Sequence, residues 1–432
     1  MVIDTIATGL RRVGRSTVGF LIVFLLLFDL FIVQVRPLRY ANATNLTGLN
    51  QNPVVSKLPE FLRSKRNPEI LMVGTSLVLV PSVRLDDELS GKKTRYDRWY
   101  YRNHILEYDR ADYLKKQLSD LAARPLDLAN LGIVGSMMSD HYLIVKKSLS
   151  AGKRPRLIIC AIAPRDFLDN YRGVVEKTPT YQAVADFTSI GDLLKTSPSL
   201  DTIADITLAS LWSYYKTRND YQTFVAVFAS RLSGHPLNLY MATTNVTDGQ
   251  HTGGQATSAA TLPDGHGADD GTVVSVLENV EPVYTATRNQ LGDLELYKRV
   301  YLPVNSKLYE TQMSYLEKLL KLAQRESVFL VLIDMPLTKD NLSILPANVL
   351  QRYRRQVAGL CSQYTAKLVR PGQEAEYTLS DFEDSCHLNG QGGKKFCSSL
   401  VKAMASDRRL LASVTRRQSL ITTQDSKLLP FF

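Results

Sequence analysis

Five short runs in this chain are apolar at nearly every position rather than at every second one: Glu69–Val73, Leu126–Leu131, Arg156–Ala163, Val328–Asp334 and Ala366–Val369. A strand with one wet face alternates, whereas a strand covered on both faces reads as a continuous apolar run. Amphipathic helical patterns lie between or after these runs, at 109–123, 137–150, 306–325, 346–363 and 391–404. Parallel neighbours need a crossover long enough to pass over the sheet, so strands alternating with helices predict a parallel sheet covered on both faces. The expected fold class is α/β, a three-layer αβα domain around a central parallel sheet. Reactive groups in such sheets collect at the carboxyl ends of strands.

The alternation stops between about 170 and 300. Residues 180–240 carry short, aromatic-rich helical patterns, and residues 242–272 hold almost no large apolar side chain. The latter stretch buries too little surface to offset the entropy of ordering and is expected to be disordered. The chain therefore divides into a first domain segment (69–170), an insertion (171–304), a second domain segment (305–406) and a basic tail (407–432). No internal repeat is found.

Ahead of the domain, Ser16–Val35 is almost wholly apolar over twenty residues. As a helix that is about 30 Å, the thickness of a bilayer's hydrocarbon core. Asp29 is its one costly residue, expected near an interface or against a partner helix. Arg11, Arg12 and Arg15 precede the span, while Arg36 and Arg39 follow it. The positive-inside rule then places residues 1–15 in the cytoplasm and the bulk outside. A cleaved signal peptide is the competing reading, since Ala41-Asn42-Ala43 has the small-x-small form of a cleavage site. The length of the span, and the two arginines before that site, favour an uncleaved transmembrane anchor at 16–35 with a polar stalk at 36–68. No second hydrophobic span follows. The expectation is a single-pass protein of the cell membrane with an extracytoplasmic body.

The formal charge of +10 is scattered, with modest clusters at 92–110 and 402–417. A nucleic-acid binder concentrates such charge in one patch. Here it reads as surface charge facing an anionic membrane or wall polymer, and no nucleic-acid partner is expected. Cys160, Cys361, Cys386 and Cys397 form no C-x-x-C pair, which argues against a zinc ribbon or thioredoxin motif. Cys386 is a candidate to bond Cys397 or Cys361 in an oxidising compartment; free thiols packed as small apolar groups are the other reading. No three-ligand cluster suggests a metal, and no cofactor is expected.

Chemistry enters at ILMVGTSLV, Ile70–Val78, where a buried strand runs into Gly74-Thr75-Ser76. Such a turn is often only a helix cap. Near the other end lies Asp384-x-x-His387, followed by a Gly-rich turn and an amphipathic helix. At this spacing the carboxylate can accept from one imidazole nitrogen and leave the other as a base. Ser76, closing the first strand, is the candidate nucleophile for that base, and the two ends of the sequence are expected to meet at one edge of the sheet.

Gly74-Thr75-Ser76 after the first strand, Asn130-x-Gly132-x-x-Gly135 after the second, and Asp384-x-x-His387-Leu388-Asn389 near the end resemble the SGNH hydrolase superfamily. The likeness covers roughly 66–170 and 305–405. It is strongest to the membrane-anchored, extracytoplasmic branch, which includes alginate O-acetyltransferases and the D-alanine transfer protein of lipoteichoic acid. The resemblance implies Ser76 as nucleophile, His387 as general base and Asp384 as its orienting partner. It implies oxyanion donors at the Ser76 and Gly135 backbone N–H groups, with Asn130 in the same substrate-facing block. The family's third donor is an Asn after the third strand. Here that block reads Ala163-Pro164-Arg165-Asp166, leaving Arg165 to donate instead or to pair with Asp166.

Asp140 and His141 read as a surface or capping pair. His104 lies in an aromatic and basic stretch suited to sugar or lipid headgroups and equally to ordinary packing. His235, His251 and His266 in the insertion have no carboxylate pattern. Asn42, Asn45, Asn245 and Asn341 open sequons, which matter only in a glycosylating host. Three functions follow. The first is serine-dependent O-acyl transfer, expected to be O-acetyl, to a cell-surface polysaccharide or wall polymer, beside a multi-span membrane-bound O-acyltransferase as the resemblance implies. The second is a carbohydrate esterase or lipase using the same triad. The third is a catalytically silent scaffold in a membrane complex.

Overall fold

The computed structural model describes residues 17–35, 57–91, 108–171, 174–175, 178–194, 200–212, 214–215, 221, 286–374 and 376–415. All belong to a unit built from Met1–Phe224 and Ala286–Phe432; a second unit, Val225–Thr285, lies outside the described residues.

Five strands, β1 (Ile70–Gly74), β2 (Leu128–Gly132), β3 (Leu157–Ile162), β4 (Phe329–Asp334) and β5 (Lys367–Val369), form one parallel sheet in the order β2-β1-β3-β4-β5. Each lies within two residues of its expected run. Every residue of β1, β2 and β3 is buried, which is why these strands read as unbroken apolar runs.

The main helices are α1 (Thr17–Val35), α2 (Ser76–Ser90), α3 (Asp112–Ala122), α4 (Met138–Ser150), α5 (Ala286–Tyr301), α6 (Ser306–Arg325), α7 (Ala347–Gln363), α8 (Gly390–Ser406) and α9 (Arg408–Thr415). The chain steps outward from β1 to β2 and then returns past β1 to β3. Right-handed crossovers therefore put α2 and α3 on one face and α4, α6 and α7 on the other. Contacts agree: α8 packs on α2 and α3, and α6 packs on α4 and α7. The reversal of direction between β1 and β3 opens a crevice at their carboxyl ends, where open α/β sheets bind ligands.

Several expected boundaries move. The stalk is shorter than 36–68, because Lys57–Arg63 is helical and buries Leu58 and Phe61. Parts of the expected insertion belong to the body: Tyr181, Val184 and Leu193 join the core, as do Tyr297, Val300 and Tyr301 of α5. The basic tail begins with α9, which buries Leu410 and Val414. All four cysteines are free and buried. The expected disorder at 242–272 lies outside the described residues, as do residues 1–15, His104, His235, His251, His266, and the sequons at Asn42, Asn45 and Asn245.

Among the described residues, no helix is long and apolar enough to cross a membrane. Within α1 itself, the side chains of Val18, Ile22, Val33 and Val35 fall outside that set. The backbone is nonetheless helical for nineteen residues, and Phe20, Leu21, Val23, Phe24, Leu26, Leu27, Leu30 and Phe31 are exposed.

Candidate active site

The first turn of α2 sets Ser76. Thr75 caps the helix, its Oγ1 accepting from the Leu77 N–H at 3.2 Å. Gly74 and Gly132 pair across β1 and β2, and a Cβ on either would stand 2.9 Å from Val78 Cγ2. Their bareness lets the helix settle onto the strand ends. Ser76 emerges beside the crevice between β1 and β3, only 6% exposed.

A tight loop presents the other two residues. Phe382 and Leu388 bridge as antiparallel partners, and the Glu383 N–H donates to the His387 carbonyl at 2.8 Å. Within the loop, Asp384 Oδ1 accepts from the backbone N–H groups of Cys386 (2.9 Å) and His387 (2.7 Å). Asp384 Oδ2 lies 2.6 Å from His387 Nδ1, and His387 Nε2 lies 2.8 Å from Ser76 Oγ. With Nδ1–H donating to the carboxylate, Nε2 accepts from the serine hydroxyl. The structure thus brings Ser76, His387 and Asp384 within hydrogen-bond distance in that order.

The three meet at the carboxyl ends of the strands. β1 is an interior strand and β5 the far edge, so the chain after β5 must travel back over the strand ends to reach Ser76. The meeting point is the carboxyl-end edge of the sheet, over the interior strand β1 rather than beside an outer strand. Set against known proteins, the chain matches no family model and no curated sequence.

Electrostatics fit the geometry. Burial works to raise the Asp384 pKa, but the His387 ring and the two backbone donors outweigh it and hold the carboxyl well below its ordinary value. Burial disfavours the His387 imidazolium; the adjacent Asp384 carboxylate overrides this and raises the pKa well above 6.5.

Other side chains hold the loop in place. Arg84 of α2 pairs with Glu383, its Nη2 donating to Oε2 at 3.1 Å, so the helix carrying Ser76 grips the loop carrying His387. Behind the triad, the Tyr297 hydroxyl lies 2.8 Å from Cys386 Sγ. Asn341 Nδ2 donates to Ser385 Oγ at 3.2 Å, its Oδ1 accepts from the Tyr301 hydroxyl at 3.0 Å, and Thr338 Oγ1 donates to the Ser385 carbonyl at 2.7 Å. Asn341 is fully buried, so its sequon is not a glycan site in the folded chain.

The expected oxyanion residues fare unequally. Neither the Ser76 nor the Gly135 backbone N–H has a hydrogen-bond partner among the described residues. Gly135 (φ 72°) occupies the left-handed position of a turn closed by the Ser136 N–H on the Ile133 carbonyl at 3.2 Å. Asn130 is different. It is fully buried within β2; Oδ1 accepts from the Gly132 N–H at 2.9 Å and Nδ2 donates to Ser82 Oγ and the Arg110 carbonyl, each at 3.2 Å. It secures the turn, its amide taken up by protein partners. Arg165 donates to Asp169 at 2.8 Å rather than pairing with Asp166. Asp166 instead accepts from the Ala163 N–H at 3.0 Å, and burial pushes its carboxyl up to about 8.

Asp140 accepts from the Met137 N–H at 2.8 Å, as a capping residue should. His141 departs from the surface reading. It is fully buried, and desolvation pushes its pKa down to about 3. A cavity of 580 Å³ lined by Phe329, Leu330, Cys361, Ala366 and Leu410 opens at the amino ends of β4 and β5, away from the triad. Against the expectation of no three-ligand cluster, Asp384, Cys386 and His387, neighbours in sequence, each place one ligand atom within 4.8 Å of the others. Arg84, Glu383 and Tyr297 carry no local signal, because each meets its partner across a long stretch of chain.

Proposed function

We propose that this chain is a membrane-anchored, extracytoplasmic serine acyltransferase of SGNH type. It passes an acyl group, acetyl on the resemblance, to a hydroxyl of a cell-surface polysaccharide or wall polymer. The observation that carries this reading is the unbroken hydrogen-bonded line from Ser76 Oγ through His387 to Asp384 at the carboxyl end of an interior strand. His387 Nε2 takes the Ser76 proton as Oγ attacks the donor ester or thioester carbonyl, and Asp384 steadies the imidazolium. On this reading the developing oxyanion is received by the Ser76 and Gly135 N–H groups, which have no partner among the described residues, and by the amino end of α2. Collapse expels the donor's alcohol or thiol, which takes the proton back from His387. An acceptor hydroxyl then repeats the sequence against acyl-Ser76.

α1, with its band of exposed apolar side chains, supports the role of anchor beside a multi-span O-acyltransferase that supplies the acyl group. The third-strand block has no Asn, and Arg165 is held by Asp169. A missing oxyanion donor costs roughly two to three orders of magnitude in rate, so turnover is expected to be slow. The test is intact-mass detection of an acyl adduct on Ser76, with Ser76→Ala as control. Polymer acylation that survives in Ser76→Ala sinks the reading, and an adduct released only to water makes the protein an esterase.

A further inference from the structure

We propose that Asp384, Cys386 and His387 form a binding site for a thiophilic divalent cation of the zinc type, and that its occupation switches the serine off. This rests on the triad reading above and adds a regulator to it.

The geometry is close to a built site. Cys386 Sγ lies 3.4 Å from His387 Nδ1, and Asp384 Oδ2 lies 2.6 Å from the same nitrogen. Ligands bound to zinc at about 2.0–2.3 Å in a tetrahedron stand roughly 3.3–3.7 Å apart. Thiol and imidazole already have that spacing, and the carboxylate needs only a small outward turn. Asp384 Oδ1 is occupied by two backbone N–H groups, which leaves Oδ2 as the oxygen to bind. The Tyr297 hydroxyl lies 2.8 Å from the sulfur. A thiolate with an imidazole selects zinc-like ions over magnesium or calcium.

Inhibition follows from proton accounting. In the neutral ring Nδ1 carries the proton and Nε2 faces Ser76 as an acceptor. A cation bound at Nδ1 moves the proton of the neutral ring to Nε2, and the Cys386 thiol releases its proton to solvent. The ring then donates toward Ser76 Oγ and has no lone pair with which to deprotonate it. No oxidation is involved.

The experiment uses the full chain in detergent, first stripped of metal with EDTA. Cobalt(II) is titrated while the thiolate-to-cobalt charge-transfer band is read. In parallel, labelling of Ser76 by a fluorophosphonate is timed with and without zinc chloride, each variant scaled to its own metal-free rate. The unaltered chain is expected to give the band and to lose labelling reversibly. Cys386→Ser, with Cys386→Ala as the second variant should that one not fold, is expected to lose both responses. Even outer-shell partners are worth about 10–100-fold in metal affinity, so loss of a ligand should be plain. Absence of the band in the unaltered chain, or zinc sensitivity that persists without Cys386, overturns the proposal. A metal-free chain that never labels overturns the triad reading instead, and the cobalt spectrum still judges the metal site.

Discussion

His387 is held between two opposing influences, and its titration reports which one prevails. Desolvation favours the neutral ring while Asp384 favours the cation, with the net shift upward from 6.5. In the proposed mechanism acylation needs neutral His387, so its rate should rise with pH through a midpoint above 6.5, seen in kcat/KM or in phosphonate labelling. Asp384→Asn removes the carboxylate that raises this pKa. It should bring the midpoint down and, by analogy with other triads, cost about four orders of magnitude in rate. A midpoint that does not move would separate Asp384 from His387. The same shifts govern stability. Asp384 lies below its ordinary 3.8 and contributes stability that is present above that pH and lost as pH falls. His387 contributes stability that is full below 6.5 and lost as pH rises through its folded value. Wild type should exceed Asp384→Asn in denaturation midpoint most clearly between pH 3.8 and 6.5.

At the scale of elements, the site depends on how closely α2 seats on the strands. A methyl at Gly74 would meet Val78 Cγ2 at 2.9 Å and the Ala161 methyl at 3.3 Å, displacing the turn that carries Ser76. Gly74→Ala should cost about 1–3 kcal/mol, as overpacking does, and slow Ser76 labelling. Val78→Ala makes room, so the double variant should recover labelling relative to Gly74→Ala; labelling that stays low would locate the damage elsewhere. The five strands were legible because double-sided burial writes itself as unbroken apolar sequence. α2 was not. Ser76–Ser90 is apolar on every side of its first turns and contains Pro81, so no amphipathic stripe marks it as a helix. The reason is its place: the sheet covers one side and α8 another. The triad was legible because Asp384 and His387 are neighbours in sequence and Ser76 ends a strand. The Arg84–Glu383 clamp, joining residues 299 apart, had no such cue.

For the molecule as a whole, Asp29 was the puzzle of the apolar segment, and the fold supplies its partner. Its Oδ1 accepts from the Tyr214 N–H at 2.8 Å, and the Tyr214 ring meets Phe28 edge-on at 5.1 Å. Trp212 stacks with Tyr215 and tilts against Tyr214, next to a helix, Leu200–Leu211, that exposes Leu200, Leu208 and Leu211. No sequence rule joins residues 185 apart. The bond has a consequence if α1 is the anchor of the proposed function. Asp29 lies six residues from Val35, about 9 Å along the helix, so Trp212 and its neighbours sit about that far inside the hydrocarbon, below the level of the interfacial aromatic belt. The chain has two tryptophans, Trp99 and Trp212. Trp99→Phe therefore leaves Trp212 as the only indole emitter. In nanodiscs, lipids brominated on the upper acyl chain should quench it, while acrylamide in the water should reach it poorly. Efficient acrylamide quenching with no effect of bromine would put this segment in water and detach α1 from the membrane with it.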